Sequence, residues 1–228
     1  EGRRVFFDLT NIRPKGAKIS GGFKAPGPEG LRKSLDKIEL ILQNLVIDSK
    51  EPIAVRPLTV YDICMHAADA VLSGGVRRSA TICLFSPEDD EMMTAKTGNW
   101  FMDNPQRGRS NNSAVIVRDE ATPEMFAKIM ESVKSFGEPG FYFTTSKEHT
   151  TNPCVEIGIY PQYDGESGWQ GCNLTEINGG LCKTPEDFYT ACRAGAILGT
   201  LQAGYTDFKF LSPVSKQIFD REALLGVS

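Results

Sequence analysis

Asn152, Cys154 and Glu156 occupy alternate positions in Thr151-Asn152-Pro153-Cys154-Val155-Glu156-Ile157, and another thiol, Cys172, follows 18 positions after Cys154 (172 − 154) in Gln170-Gly171-Cys172-Asn173-Leu174. In an extended segment, alternate side chains share one face, so this spacing predicts an amide, a thiol and a carboxylate pointing into one space. A carboxylate within about 3 Å of a substrate proton can serve as a general base beside the thiol. A lone cysteine is more often a buried packing residue. Here the flanking Asn152 and Glu156 argue for a working thiol, and a reducing compartment disfavours a plain Cys154–Cys172 disulfide.

Two glycine-rich stretches carry cations. Ser73-Gly74-Gly75-Val76-Arg77-Arg78-Ser79 precedes an apolar run. Its glycines allow a tight turn, and its arginines can reach a phosphate or base edge; the same residues also suit a helix C-cap with solvated arginines. Between Pro14 and Pro28, Gly16, Gly21, Gly22 and Gly27 interleave with Lys15, Lys18 and Lys24, next to Arg13. That pattern fits amides and cations closing around phosphate, or a flexible surface connection.

The remaining pattern supplies elements to hold these groups. Arg4 to Leu9 reads as a short strand. Leu31, Leu35, Ile38, Leu42 and Leu45 recur at helical spacing, predicting a helix over 30–45. Thr59 with Asp62 reads as a capping box opening a helix over 60–72, with Ile63, Ala67, Ala70 and Val71 on its buried side and Cys64 and His66 as packing residues. Strands follow at 80–85, 114–117, 140–144 and 173–177, a short helix at 88–96, an ordered loop over 98–107, and helices from Thr122 to Phe136 and from Thr184 to about Thr206. Met125, Phe126, Ile129, Met130 and Val133 are read as a core stripe, Cys182 and Cys192 as structural thiols, and 224–228 as a last strand. Alternating strands and helices predict an α/β fold with mostly parallel strands.

With 40% hydrophobic and 24% charged residues, the chain has ordinary globular composition, and a net charge of −4 argues against a nucleic-acid or membrane-surface binder. No apolar run approaches the ~20 residues of a membrane span, and there is no secretory leader pattern, so a cytoplasmic protein is expected. The six cysteines form no CxxC pair, and with two histidines no metal site is expected.

Asn152-Pro153-Cys154-Val155-Glu156-Ile157, Gly171-Cys172-Asn173-Leu174, Ser73-Gly74-Gly75-Val76-Arg77-Arg78-Ser79-Ala80, and Asn104-Pro105-Gln106-Arg107 followed by Asn111-Asn112-Ser113 together resemble the large catalytic subunit of ribonucleotide reductase. The order and approximate spacing of all four agree over 6–228. The resemblance is strongest to the adenosylcobalamin-dependent, class II branch. It implies part of a ten-stranded α/β barrel with a central finger loop: 1–150 as the remainder of the first half-barrel with nucleotide-specificity loops, 151–172 as the finger loop and return, and 173–228 as the start of the second half.

By the same resemblance, Cys154 is the thiyl-radical residue that abstracts the ribose 3′ hydrogen. Glu156 takes the 3′-hydroxyl proton, Asn152 bonds the ribose hydroxyls, and Cys172 is one of two thiols that reduce C2′ and end as a disulfide. Arg77, with Ser73, Gly74 and Gly75, and Arg13 belong to loops through which a deoxynucleotide or ATP effector tunes base choice. The implied cofactor is adenosylcobalamin, or a metal-radical partner subunit in another class; the implied reductant is of the thioredoxin or glutaredoxin type. The family's other reducing cysteine, its C-terminal cysteine pair and its later phosphate loop have no match here. The expectation is therefore a fragment or split piece that is inactive until a complementary chain joins it. A non-catalytic nucleotide-binding module and another thiyl- or glycyl-radical barrel enzyme are the alternatives.

Overall fold

The computed structural model describes residues 5–19, 22–46, 52–71 and 79–228. The chain divides into two compact units, Glu1–Ala114 with Ala121–Phe141, and Val115–Glu120 with Tyr142–Ser228. The class is mixed α/β. The described strands form one three-stranded sheet, of order β1-β2-β3, and three two-stranded sheets, and among them no barrel closes.

In the first unit α1 (Glu29–Val46) packs on α2 (Pro57–Asp69). α2 begins three residues before the expected start. Pro57 takes the first-turn position, where its missing N–H costs nothing, and Thr59 lies inside the helix rather than capping it. Asp62 is thereby free for another partner. Its two oxygens accept from Arg107 Nε and Nη2 at 2.8 and 2.7 Å, while Arg107 Nη1 donates to the Ala95 carbonyl at 2.8 Å. This fixes the rotation of α2, so Tyr61, Met65 and His66 face inward; Ala67 and Val71, expected on the buried side, are exposed.

Strand β1 (Thr81–Phe85) pairs in parallel with β2 (Ser110–Val117), from Thr81 opposite Ser110 to Phe85 opposite Ala114. The connection holds two single-turn helices, α3 (Asp90–Met93) and α4 (Trp100–Asp103), and a 3-10 segment, Pro105–Arg109. The helix expected over 88–96 is thus one turn, and the expected loop over 98–107 is largely helical. Helix α5 (Pro123–Phe136) is capped by Thr122 as the sequence predicts, but its stripe is only partly core: Ile129 is fully buried and Met130 exposed. Gly140–Thr144 is β3, at its predicted bounds. Of the strand expected over 4–9, the described residues 5–9 have no strand partner, and Val5, Phe6 and Phe7 are exposed; without a ladder, β propensity alone does not fix a strand.

The second unit is built on a βαβ arrangement. β8 (Asn173–Thr175) and β9 (Leu225–Val227) pair in parallel, with α6 (Pro185–Ala203) and α7 (Pro213–Arg221) between them in sequence. Thr184 and Asp187 form a full capping box at the start of α6. Gly195 lets α6 lie close to the strands, because a Cβ there would stand 3.0 Å from Val227 Cγ1. Helix α7 has no counterpart in the sequence reading. Its signal is local: Ser212 caps it, Pro213 opens it, and Ile218 is fully buried.

Arg107 and Asp62 side chains are 11% and 15% exposed, whereas Arg56 and Glu91, another ion pair of this unit, are 65% and 42% exposed. Removing one member of a buried pair strands the other, so Asp62→Ala is expected to lower unfolding free energy by about 3 kcal/mol. Arg56→Ala should change it by less than about 1 kcal/mol. Urea titration followed by circular dichroism measures both.

Candidate active site

Asn152, Cys154 and Glu156 sit at the tip of a hairpin. Its arms, β4 (Thr150–Thr151) and β5 (Gly158–Ile159), pair antiparallel with Thr151 opposite Gly158, and the Tyr142 hydroxyl donates to the Thr150 carbonyl at 3.0 Å. The tip is not the extended segment that the spacing suggests. Val155 N–H donates back to the Asn152 carbonyl at 3.0 Å, and Val155 adopts a left-handed φ of 69°. A β-branched residue in that region stores about 1–3 kcal/mol, which the surrounding bonds must hold.

Those bonds converge on Asn152, which is 4% exposed. Its Oδ1 accepts from the Ile157 N–H at 3.0 Å, and its Nδ2 donates to Glu156 Oε1 at 2.7 Å. Thr151, equally buried, donates its hydroxyl to the Ile157 carbonyl at 2.9 Å. The amide and carboxylate therefore meet because the turn folds the chain back on itself. The other carboxylate oxygen, Glu156 Oε2, is buried and has no hydrogen-bond partner among the described residues. An orphaned acceptor of this kind carries a desolvation cost that a donor arriving from outside would relieve.

Cys172 returns to the same place through the excursion after β5. Strands β6 (Gln162–Tyr163) and β7 (Glu166–Ser167) flank a tight turn in which Asp164 and Gly165 have φ of 51° and 81°. Helix α7 anchors the excursion: Trp169 N–H donates to Ser215 Oγ at 2.9 Å, and Gln170 donates to Glu222. Cys172 as a residue is exposed. Its sulfur is nevertheless shielded enough that burial, followed by the charge of Glu156 and the proximity of Cys154, raises the thiol above its ordinary range, with an Asn152 hydrogen bond opposing. At neutral pH it stays a protonated thiol. Four predicted site residues thus share one neighbourhood, and Cys154 is exposed at its edge.

The other predicted residues are elsewhere or undescribed. Arg13 is exposed, in the stretch that leads to Lys18, which forms an isolated antiparallel β-bridge with Lys24. Ser73, Gly74, Gly75 and Arg77 lie outside the described residues. Asn104-Pro105-Gln106-Arg107 contributes the Asp62 clamp. Cys83, in the first unit, is pushed up to about 11, chiefly by burial; with Cys64 it lines an apolar cavity of about 640 Å³. Among the described residues no cluster of three or more metal-ligating side chains occurs. The sequence reading missed Thr151, Tyr142 and Ser215, which hold the site; only the Ser212-Pro213 cap hints at the last.

No family model matches the sequence. An adenosylcobalamin-dependent ribonucleoside-triphosphate reductase of Lactobacillus gasseri is 30% identical over 238 residues, covering 99% of this chain and 30% of that protein. In sequence, this chain is class II ribonucleotide-reductase-like. Reductases of the same description from Levilactobacillus brevis and Lactobacillus acidophilus are 32% and 28% identical, over 76% and 99% of this chain. The reductase-like chain spans 24–30% of the length of these curated relatives.

Thiol reactivity reads out this site directly. Brief iodoacetamide treatment at pH 8, followed by peptide mass spectrometry, should label the exposed Cys154 before Cys83, and Cys172 before Cys83, because burial raises the Cys83 thiol to about 11 and only the thiolate reacts. Asn152→Ala removes the bonds to both Ile157 and Glu156, and should cost about 1–3 kcal/mol in urea unfolding.

Proposed function

We propose that this chain carries the radical thiol, the base and one reducing thiol of an adenosylcobalamin-dependent reductase of ribonucleoside triphosphates. The observation that supports this best is the Glu156 carboxylate: one oxygen is fixed by Asn152, and the other is buried, unpartnered among the described residues, and close to two thiols. A module that only bound nucleotide would have no use for that arrangement.

With Cys154 as a thiyl radical, its sulfur takes the 3′ hydrogen atom of the ribose. Glu156 Oε2 accepts the 3′-hydroxyl proton, and the second hydrogen of the Asn152 amide holds the ribose hydroxyls. Cys172, kept protonated, supplies the proton with which the 2′ oxygen leaves as water. Two electrons and a further proton come from Cys172 and a second thiol, which end as a disulfide; Cys154 returns its hydrogen atom to C3′, and Glu156 returns the proton to the 3′ oxygen. One dithiol is oxidised and one C2′–OH becomes C2′–H, so the step balances. The exposed position of Cys154 fits a thiol that must meet an external radical source. Adenosylcobalamin, when bound, supplies the organic radical that removes the Cys154 hydrogen atom.

The second thiol comes from a complementary polypeptide region, and a thioredoxin- or glutaredoxin-type protein re-reduces the pair. Arg13, with Ser73, Gly74, Gly75 and Arg77, serves a deoxynucleotide or ATP effector. The reaction supplies DNA precursors in the cytoplasm. No helix among the described residues is long and apolar enough to cross a membrane.

The test uses a 3′-deuterated ribonucleoside triphosphate with the chain joined to the rest of the catalytic subunit. Cys154→Ser should abolish both 3′ exchange and deoxynucleotide formation, and its retention of reduction would overturn the radical role. Glu156→Gln should slow the reaction about 10²–10⁴-fold. Cys172→Ser should retain 3′ exchange yet form no deoxynucleotide in multiple turnover. Multiple turnover by the 228-residue chain alone would refute the need for a complementary region.

A further inference from the structure

We propose that Gly226 is a positioning residue for Glu156: the bare backbone of β9 at that point is the floor on which the carboxylate side chain lies. Gly226 is buried in β9, opposite Leu174 of β8. A Cβ built on it would stand 2.5 Å from Glu156 Cγ, 2.8 Å from Ile157 Cγ1 and 3.1 Å from Ile157 Cδ1. The first two lie well inside van der Waals contact, so any side chain at 226 must displace one partner. Glycine has no side-chain donor, acceptor or charge; its contribution is the space it leaves.

β9 is the less yielding partner. Asn173 N–H and Nδ2 both donate to the Leu224 carbonyl, at 3.2 and 2.8 Å, while Ser228 N–H donates to the Thr175 carbonyl at 2.9 Å. Behind the strand, α6 is already close, with a Cβ on Gly199 at 3.4 Å from Leu225 Cβ. The Glu156 turn must therefore give way. Glu156 is held on its other side by the 2.7 Å bond to Asn152, and a shift of Cγ large enough to admit a methyl group breaks that bond. The carboxylate is thus clamped between an amide and a glycine. Its position requires both. The importance of Gly226 for catalysis rests on the reading of Glu156 as the base, whereas its control of where the carboxylate sits does not.

Cys172 reports that position, because the Glu156 charge, after burial, helps to raise its thiol. In the full chain, Glu156→Gln should accelerate Cys172 alkylation at pH 8 by about threefold or more. Gly226→Ala should accelerate it by a comparable factor, and the double variant should be no faster than Glu156→Gln alone. Wild-type alkylation in folded Gly226→Ala, or additive effects in the double variant, would overturn the proposal. Should Gly226→Ala fail to fold, Glu156→Ala placed in the same chain removes the nearer clash, leaving that with Ile157 Cγ1, and should raise Tm part of the way back; no rise would equally overturn it. If Glu156→Gln instead left 3′ exchange intact in the reconstituted reductase, the base assignment would fall while the alkylation result stood.

Discussion

The candidate site depends on one side chain amide. Asn152 accepts from Ile157 N–H and donates to Glu156 within a turn whose left-handed Val155 would otherwise relax toward a more ordinary conformation. Because the amide is almost completely buried, its bonds meet little competition from water, and losing either would leave a polar group stranded. The turn, the carboxylate orientation and the exposure of Cys154 all follow from that closure.

Around this turn the second unit is a set of props of different kinds. The Tyr142 hydroxyl fixes the base of the hairpin. Helix α7 holds the excursion that returns Cys172, and β9 presents glycine where the Glu156 side chain must pass. Strain in Val155 and the orphaned Glu156 oxygen are both unfavourable in isolation. They persist because the parallel β8–β9 pair and its covering helix α6 make the frame stiff enough to carry them. Such costs concentrate where a protein holds reactive groups ready, and here they coincide with two thiols and a carboxylate.

The pattern of elements was largely legible, for local reasons. α1, α5 and α6 announce themselves through apolar periodicity and through caps such as Thr122 and the Thr184–Asp187 box, whose hydrogen bonds are made within a few residues. Where an element depends on a distant partner, the local signal misleads. Asp62 reads as part of a capping box from its spacing to Thr59, yet it binds Arg107, 45 residues away, and that bond turns α2 so that Tyr61 and Met65 face inward. Residues 5–9 have strand-forming side chains and no strand to pair with.

The candidate site divides in the same way. The sequence by itself determined which groups are available, an amide, two thiols and a carboxylate, because those identities and their order are properties of the chain alone. It also carried the likeness to the reductase family. The alternate-face argument brought Asn152 and Glu156 together by the wrong geometry: alternation holds only for an extended backbone, and the backbone here reverses at Val155. Only the tertiary structure decided that Asn152 fixes one Glu156 oxygen and leaves the other bare, that Cys172 returns beside them, and that Gly226 makes room. Those facts depend on contacts between residues up to 70 positions apart (226 − 156), which no local spacing encodes.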